Sequence, residues 1–312
     1  MPAAQRFDVV ALGDLVVDFV VEIDHFPVEA GRHQLTSGHV LEPGGACNFL
    51  IAAARLGLHA AALSLVGEDL YADFLLDALA QEGVDVAGVE RSGDKQTVVV
   101  VTLVAGGQHT FLGGMVPTPV TEIPSTWREA IAASRALFVE GYAFTELSPG
   151  MVMDAIRTAR AAGAPVFFDL GPELAAVDAG LLAETLETAQ VLLLTEEEAA
   201  AVTGAADAST AARRLRRRPD QWVVIKRGAD GCLVDAQGSQ VHVPGFPVTV
   251  RDTSGAGDSF DAGMVYGFLH GMTPEACARL ANAVGAVTVS KLGAGRNVAT
   301  RTEVEGMLKI ED

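Results

Sequence analysis

A run of small residues leads directly into an acidic side chain at Gly255, Ala256, Gly257 and Asp258. Residues with almost no side chain let backbone N–H groups close on an anion, and a following helix adds the positive end of its dipole. A carboxylate inside such an anion cradle repels a static phosphate, so its presence indicates chemistry rather than binding alone. The pattern suits phosphoryl transfer to an alcohol, with Asp258 accepting the hydroxyl proton while the N–H groups stabilise the phosphoryl charge. Simple helix capping is the alternative for so short a motif.

A second glycine turn precedes a helix predicted over 49–56. Gly44 and Gly45 permit close approach of a ligand to the backbone, and Asn48 offers both a donor and an acceptor, which suits a pair of sugar hydroxyls. Asp18 follows the first predicted strand, in a segment that we expect to form the strand's end and a turn. Ligands collect at such strand ends in parallel α/β sheets, so Asp18 is a candidate for binding substrate hydroxyls. An ordinary turn aspartate is the alternative.

Together the two motifs resemble the two signatures of the ribokinase family of carbohydrate and nucleoside kinases, also called the phosphofructokinase B family. Asp-Thr-Ser-Gly-Ala-Gly-Asp-Ser-Phe-x-Ala-Gly at 252–263 is similar to the C-terminal signature, and Gly-Gly-Ala-Cys-Asn-x-x-x-Ala-Ala-Ala-Arg-Leu-Gly at 44–57 to the N-terminal one. The resemblance implies a three-layer α/β/α core with a mainly parallel sheet, a small β-sheet lid, and ATP-dependent phosphorylation of a hydroxyl of a small sugar. It also implies that Asp258 is the base and that Asp18 binds the substrate.

The resemblance further implies where the nucleotide and its cations lie. The expected nucleotide-binding residues are Thr195, Lys226, Gly228 and Asn282; Glu198 would help to organise Mg²⁺; and Asp252 with Ser254 would border a K⁺ site in members that have one. Thr195 stands where the family usually has Asn, and Lys226 where it commonly has Thr. A hydroxyl lacks the amide's donor pair, whereas a lysine can contact phosphate as a point charge.

The elements that would position these residues follow a regular pattern in the second half of the chain. Strands are predicted at 136–140, 165–169 and 191–194, and helices at 149–161 and 181–188. Strands that alternate with helices indicate a parallel sheet covered by helices.

Shorter strands without intervening helices are predicted in the first half. The resemblance assigns segments 19–41 and 97–112 to the lid of a single domain spanning 1–312. The strand around 98–103 is apolar at both parities, so both of its faces need cover. Because lids pair between subunits in several family members, this strand motivates the hypothesis of a homodimer formed through the lid.

Composition excludes several other classes of protein. A formal net charge of −18 and a pI near 4.7 argue against general binding to nucleic acid or to an anionic membrane. The three cysteines have no paired metal-ligand spacing, and we find neither a signal peptide nor a run of apolar residues long enough to span a membrane. We therefore expect a cytoplasmic protein with a small-molecule substrate.

Several alternatives stay open at this point. An unphosphorylated sugar is favoured, because the available cations near the lid are only Arg32, Arg91 and Lys95. A nucleoside acceptor would need aromatic residues to stack on a base, and Phe19, Phe111 and Phe144 are the candidates. A catalytically silent sugar- or nucleotide-binding regulator is a third possibility. An NAD(P)-dependent oxidoreductase is disfavoured, since no Gly-x-Gly-x-x-Gly follows the first strand.

Overall fold

A nine-stranded sheet and a separate four-stranded sheet organise the chain in the computed structural model, which describes residues 6–106, 108–113, 120–171 and 177–309. The strands are β1 Val9–Leu12, β2 Leu15–Ile23, β3 Thr36–Gly45, β4 Ala60–Gly67, β5 Val89–Ser92, β6 Val99–Ala105, β7 Gln108–Leu112, β8 Leu137–Glu140, β9 Val166–Asp169, β10 Val191–Thr195, β11 Trp222–Lys226, β12 Cys232–Ala236 and β13 Ser239–Val243. The helices are α1 Ala46–Leu56, α2 Leu70–Gln81, α3 Ser125–Ala132, α4 Ala143–Glu146, α5 Pro149–Ala162, α6 Ala179–Thr188, α7 Glu196–Thr203, α8 Ala208–Leu215, α9 Ala256–Leu269, α10 Pro274–Val289 and α11 Arg301–Lys309.

The larger sheet has the order β13-β12-β11-β10-β9-β8-β1-β4-β5. Every pairing from β11 to β5 is parallel, and only the β11–β12 and β12–β13 pairings are antiparallel. The predicted three-layer core with a mainly parallel sheet is thereby confirmed. Parallel packing brings the carboxyl ends of β1, β8, β9, β10 and β11 to one edge, where the site lies.

Helices cover both faces of this sheet, as the strand sequences require. In β1, Val9 and Ala11 point into one hydrophobic core and Val10 and Leu12 into the other, because successive side chains of a strand face opposite ways. The first core includes α1, α2, α9 and α10, and the second includes α3 and α5. Both faces of the sheet are therefore shielded from water, which explains why these strands are continuously apolar and do not alternate apolar with polar residues.

The four-stranded sheet, which we call the lid sheet, has the order β3-β2-β6-β7. Strand β2 pairs antiparallel with β3 and parallel with β6, and β7 returns antiparallel along β6. The strands extend beyond the predicted lid boundaries of 19 and 41, since β2 begins at Leu15 and β3 continues to Gly45. Gly107, in the predicted hairpin turn, lies outside the described residues, as do residues 1–5 and 310–312 of the predicted single domain.

One local prediction is wrong. Asp18 does not lie in a turn at the end of the first strand but in the middle of β2, opposite Glu42 of β3. The break between β1 and β2 is only Gly13 and Asp14, and the chain then pairs at once with β3 because Leu15 to Val17 can be buried.

Cys47, Cys232 and Cys277 are buried and free, as expected for thiols that are not part of a disulfide framework. Among the described residues, no helix is both long and apolar enough to cross a membrane.

Candidate active site

The start of helix α9 has the geometry of an anion-binding turn. Gly255 caps the helix with φ 69°, a left-handed conformation that glycine adopts without strain. The backbone N–H of Ser259 donates to Gly255 O at 3.0 Å, so the N–H groups of Gly257 and Asp258 belong to the open first turn of α9. Ala256 N donates to Thr253 O at 3.3 Å, so Ala256 contributes to the turn itself more than to the predicted cradle.

The side chain of Asn48 joins the two glycine motifs. Its Nδ2 donates to Oδ2 of Asp258 at 3.0 Å, and its Oδ1 accepts from Gly295 N at 2.7 Å. Asn48 is buried in the first turn of α1, so both ends of its amide are held. Two residues 210 positions apart in sequence therefore meet, and the carboxyl group of Asp258 is oriented by an amide that sequence reasoning had assigned to the sugar.

The two glycines before α1 are required by close contacts. A Cβ on Gly44 would lie 2.2 Å from Oδ2 of Asp18, and a Cβ on Gly45 would lie 2.6 Å from the carbonyl oxygen of Asp14. Gly45 also has φ 58°. Gly44 thus makes room for the Asp18 carboxyl group, and Gly45 allows the lid strand to turn directly into the helix.

A cleft of about 570 Å³ opens between the lid sheet and the start of α9. It is lined by Asp18, Gly45, Asn48, Glu140, Gly255 and Asp258, among others. The structure therefore brings the predicted base, Gly255 of the predicted cradle, and three of the four predicted substrate residues to one cavity. Gly44 supports this wall from behind Asp18.

Carboxyl groups dominate the electrostatics of the cleft. Burial, with the charge of Asp169, raises the pKa of Asp258 to about 6, while Lys226 and the Asn48 amide act in the opposite direction. Burial, followed by the charges of Asp14 and Asp258, raises the pKa of Asp18 to about 7. Near neutral pH, Asp258 is thus mainly an ionised base and Asp18 is poised between donor and acceptor.

Glu140 and Asp14 are functional candidates that our site prediction omitted. Glu140, at the end of β8, lines the cleft, and burial together with the charge of Asp14 raises its pKa well above the ordinary value. Each residue has one buried oxygen that lacks a hydrogen-bond partner within the described chain, Oδ1 of Asp14 and Oε2 of Glu140. The available signal was the position of Glu140 at a strand end; nothing local indicates that Asp14 lies beside it.

The predicted nucleotide residues have structural partners of their own. Thr195 caps α7 by accepting from Glu198 N at 3.2 Å, and Glu198 Oε2 accepts from Thr195 N at 2.9 Å, which forms a reciprocal capping box. Asn282 Nδ2 donates to the carbonyls of Val243 and Pro244, each at 3.1 Å. Their roles toward a nucleotide stay predictions.

Lys226 and Gly228 flank the end of β11. Lys226 Nζ forms ion pairs with Asp169 and Asp261, at 3.0 and 3.2 Å, and so is not an exposed lysine at a strand end. Gly228 begins a short 3₁₀ helix with φ 55°, a conformation that favours glycine. Contact of either residue with a nucleotide stays a prediction.

The predicted cation residues also have backbone partners. Asp252 accepts from Ser254 N at 2.9 Å and from Gly293 N at 3.0 Å, which links the loop before α9 to the loop after α10. Within the described part of the chain, no group of three or more His, Cys, Asp or Glu side chains could hold a metal ion. The scattered carboxyl groups of the described residues do not fit a cage in which the protein alone holds Mg²⁺. They fit a Mg²⁺ ion that is bound mainly by nucleotide phosphates and keeps several waters.

Comparison with known proteins places these features in a family. A family model described as pfkB family carbohydrate kinase matches residues 6–301. An ATP-dependent ribose-1-phosphate kinase from Halopiger xanaduensis is 32% identical over 96% of this chain and 97% of that protein. A fructokinase from Salmonella typhimurium is 31% identical over 91% of this chain and 93% of that protein. The solved structure of Arabidopsis thaliana ribokinase complexed with ribose and ATP has a TM-score of 0.83 at 23% identity and covers 96% of this chain and 98% of its own, which supports the fold.

Proposed function

The chain belongs to the pfkB family of carbohydrate kinases, the ribokinase family, and on this premise we propose that it transfers the γ-phosphoryl group of ATP to a hydroxyl of a small unphosphorylated sugar. The observation that carries the proposal is the hydrogen bond of 3.0 Å between Asn48 and Asp258 at the wall of the cleft. It holds a carboxyl group of raised pKa next to an open helix N-terminus, which is the arrangement that phosphoryl transfer to an alcohol needs.

The residues of this chain have distinct tasks in the proposed reaction. Asp18 hydrogen-bonds the sugar, and Asp258 accepts the proton of the attacking hydroxyl. The N–H groups at the start of α9 stabilise the charge on the phosphoryl oxygens, helped by the helix dipole. Mg²⁺, when bound with ATP, supplies further charge neutralisation on the phosphates, and Glu198 is the residue that we expect nearest to it.

The charges around the cleft support an unphosphorylated acceptor. The three cations expected near the lid are paired elsewhere: Arg32 with Glu29, Arg91 with Asp73, and Lys95 with Glu146. Asp18, Glu42, Glu140, Asp252 and Asp258 line the cleft, and among its described lining residues Arg251 is the one Lys or Arg. A sugar phosphate would therefore meet net repulsion.

A nucleoside acceptor is the second candidate, because one of the three aromatic residues considered for base stacking lies in the right place. Phe111 lines the cleft and is 56% exposed, and the exposed apolar side chains Val250 and Leu292 line the same cavity. Phe144 is wrong for this role, since it is buried against Phe168 in the core. The edge of the Phe19 ring packs against His39 on the lid sheet.

A panel of acceptors separates these possibilities. ADP formation would be followed with pentoses, hexoses, polyols and nucleosides, and with ribose 1-phosphate as the phosphorylated comparison. Sugar-dependent ADP formation is expected, whereas ATP or sugar binding without turnover would indicate a silent regulator. Preference for ribose 1-phosphate would contradict the charge argument. Repeating the assay with K⁺ replaced by Tris cation tests the predicted activation through Asp252 and Ser254.

We also propose that two copies pair through the lid sheet. Leu41, Phe19, Val101 and Leu112 are register neighbours across all four strands, on the face opposite Asp18, and Leu112 is 54% exposed. Such an apolar row at a sheet surface favours association. Light scattering should give twice the chain mass at micromolar concentration, and Leu112→Asp should shift it to the monomer. A monomer in both samples would reject the pairing. The cytoplasmic location stays a prediction.

A further inference from the structure

Three largely buried side chains that can carry charge meet beneath the first turn of α9, and none of them has a role in the proposed phosphoryl transfer. Lys226, at the end of β11, donates to Asp169 Oδ1 at 3.0 Å and to the two oxygens of Asp261 at 3.2 and 3.4 Å. The three side chains are 11%, 10% and 0% exposed, respectively. Because Asp169 ends β9 and Asp261 lies on α9, the lysine ties the catalytic helix to two strand ends of the sheet.

The two carboxyl groups of this cluster share a proton. Asp169 and Asp261 both contact the single Lys226 ammonium and are 10% and 0% exposed, so two ionised carboxyls would leave a net negative charge buried. When two carboxyl groups share one site in this way, one of them holds its proton. Burial, with the charge of Asp169, raises the pKa of Asp261 well above its ordinary value even though Lys226 opposes the shift. Burial also disfavours the Lys226 ammonium, but the carboxylates outweigh burial and raise its pKa. One ammonium, one carboxylate and one neutral carboxyl sum to zero charge.

This cluster lies directly behind the base. Asp261 is three residues after Asp258 and so lies on the same side of α9, and a Cβ built on Gly257 would be 3.5 Å from Lys226 Nζ. The Lys226 charge favours the ionised form of Asp258. Carboxyl groups from several elements act on Asp258 in the opposite direction: Asp14 before β2, Asp18 within β2, Glu140 at the end of β8, Asp169 at the end of β9, and Asp261 on α9 itself. Arg251, before α9, lines the same cleft.

We propose that Lys226 is a positioning residue: with Asp169 and Asp261 it forms a neutral, proton-sharing unit that fixes the start of α9 and keeps Asp258 ionised for proton acceptance. The inference rests on the proposed function, because it takes Asp258 as the base. In this proposal Lys226 acts on the base, Asp258, and does not make the predicted contact with a nucleotide phosphate.

Replacing Lys226 by Met removes the ammonium and retains the length of the side chain. An opposite charge at short range shifts a carboxyl pKa by about one unit or more, so the acid limb of kcat/KM for the sugar should move up by about one pH unit. Activity relative to the wild type should then fall about fivefold at about pH 6 and recover by about pH 8.5. Lys226→Arg retains the charge and should leave the limb near its wild-type position.

Arg216→Met is the matched control. Arg216 pairs at 3.2 Å with the buried Asp235 of β12, which lies opposite Val223 near the start of β11, whereas Lys226 is at the end of that strand. The loss of Arg216 therefore tests the general effect of breaking such a pair. The acid limb of this variant should coincide with that of the wild type.

Asp261→Asn tests the shared proton even if Lys226→Met does not fold. The pKa of Asp261 is raised well above its ordinary value, so Asp261 is the neutral member of the unit, and an asparagine in its place is neutral as well. The limb should therefore stay within about 0.3 pH unit of the wild type. A downward shift of about one unit would mean that Asp261 is ionised, and would overturn the unit as proposed.

A different set of results would support the original prediction that Lys226 binds the nucleotide. If Lys226→Met raises the KM for ATP at every pH and leaves the acid limb in place, the lysine contacts phosphate and the inference is wrong. The proposed function fails separately, since in that case the wild type itself would form no ADP in response to any acceptor of the panel.

Discussion

Replacing Asp258 by Asn should remove activity and at the same time stabilise the fold. Asp258 is partly buried, and its carboxyl group accepts a hydrogen bond from Asn48 that an asparagine at 258 can also accept through its amide oxygen. Only the charge and the ability to take a proton are lost. Loss of a positioned base should lower kcat by about 10² to 10⁴.

The expected gain in stability follows from the shifted pKa. The fold raises the pKa of Asp258 from 3.8 to about 6, so the folded state disfavours the ionised form relative to the unfolded chain. The penalty is absent below the unfolded value, grows as the pH rises between the two values, and is complete above about pH 6. A pKa shift of about two units corresponds to about 3 kcal/mol. The substitution can therefore raise the free energy of unfolding at neutral pH by at most this amount.

Urea unfolding of both proteins at about pH 7.5 and about pH 4 measures this difference, and coupled ADP formation measures kcat. The variant should be more stable at the higher pH and within about 0.6 kcal/mol of the wild type at the lower one, because a pH of about 4 lies just above the unfolded pKa of 3.8. Asp207→Asn is the control, because the backbone N–H of Thr210 lowers the pKa of Asp207, and its replacement should not stabilise the fold at the higher pH. Equal stability of wild type and Asp258→Asn at both pH values, or a loss of kcat below about tenfold, would refute the assignment of Asp258 as a buried base.

Three further outcomes follow from the same geometry. For the wild type, kcat/KM should rise through an acid limb near pH 6 as Asp258 ionises, and a limb below about pH 5 would contradict the burial of the base. Gly44→Ala places a Cβ 2.2 Å from Asp18 Oδ2, so displacement of that carboxyl should raise the KM for the sugar about tenfold or more without changing the KM for ATP. Gly38→Ala, on the same strand as Gly44, is the control: its Cβ would be 3.6 Å from the nearest atom, Oε2 of Glu22, and it should change neither constant. Asn48→Ala removes the hydrogen-bond partner of Gly295 N and of Asp258. It should lower the free energy of unfolding by about 1–3 kcal/mol and should also lower kcat. If the urea midpoint and kcat are both unchanged, the Asn48 amide does not orient Asp258.

Local signals in the chain were sufficient for the parallel part of the architecture. Regular alternation of apolar strands and helices after residue 136 predicted the parallel sheet, and the structure places strands at Leu137–Glu140, Val166–Asp169 and Val191–Thr195. Helix starts were less exact, since the helices predicted over 49–56 and 181–188 begin at Ala46 and Ala179. The helix predicted to begin at 149 does begin there, where Ser148 is its N-cap.

Other features could not be read locally. The sequence offers no sign that Asp18 pairs with Glu42 in mid-strand, because register is decided by which face of β2 can be buried. Nor does it show that Lys226 is enclosed by Asp169 and Asp261, since the three residues come from different elements. An exposed lysine and a buried one have the same local sequence.

From the amino-acid sequence by itself, the alternation of elements indicated a parallel sheet covered by helices, and short segments revealed the two glycine turns and the acidic residue Asp258. The full three-layer fold with its lid was implied by the resemblance of the two motifs to a family. Tertiary structure alone decided what that carboxyl group meets: the amide of Asn48 from 210 residues away, the carboxyls of the cleft, and the Lys226 cluster behind it. The physical reason is that proton affinity depends on burial and on charges nearby in space, and both are set only when distant segments pack together.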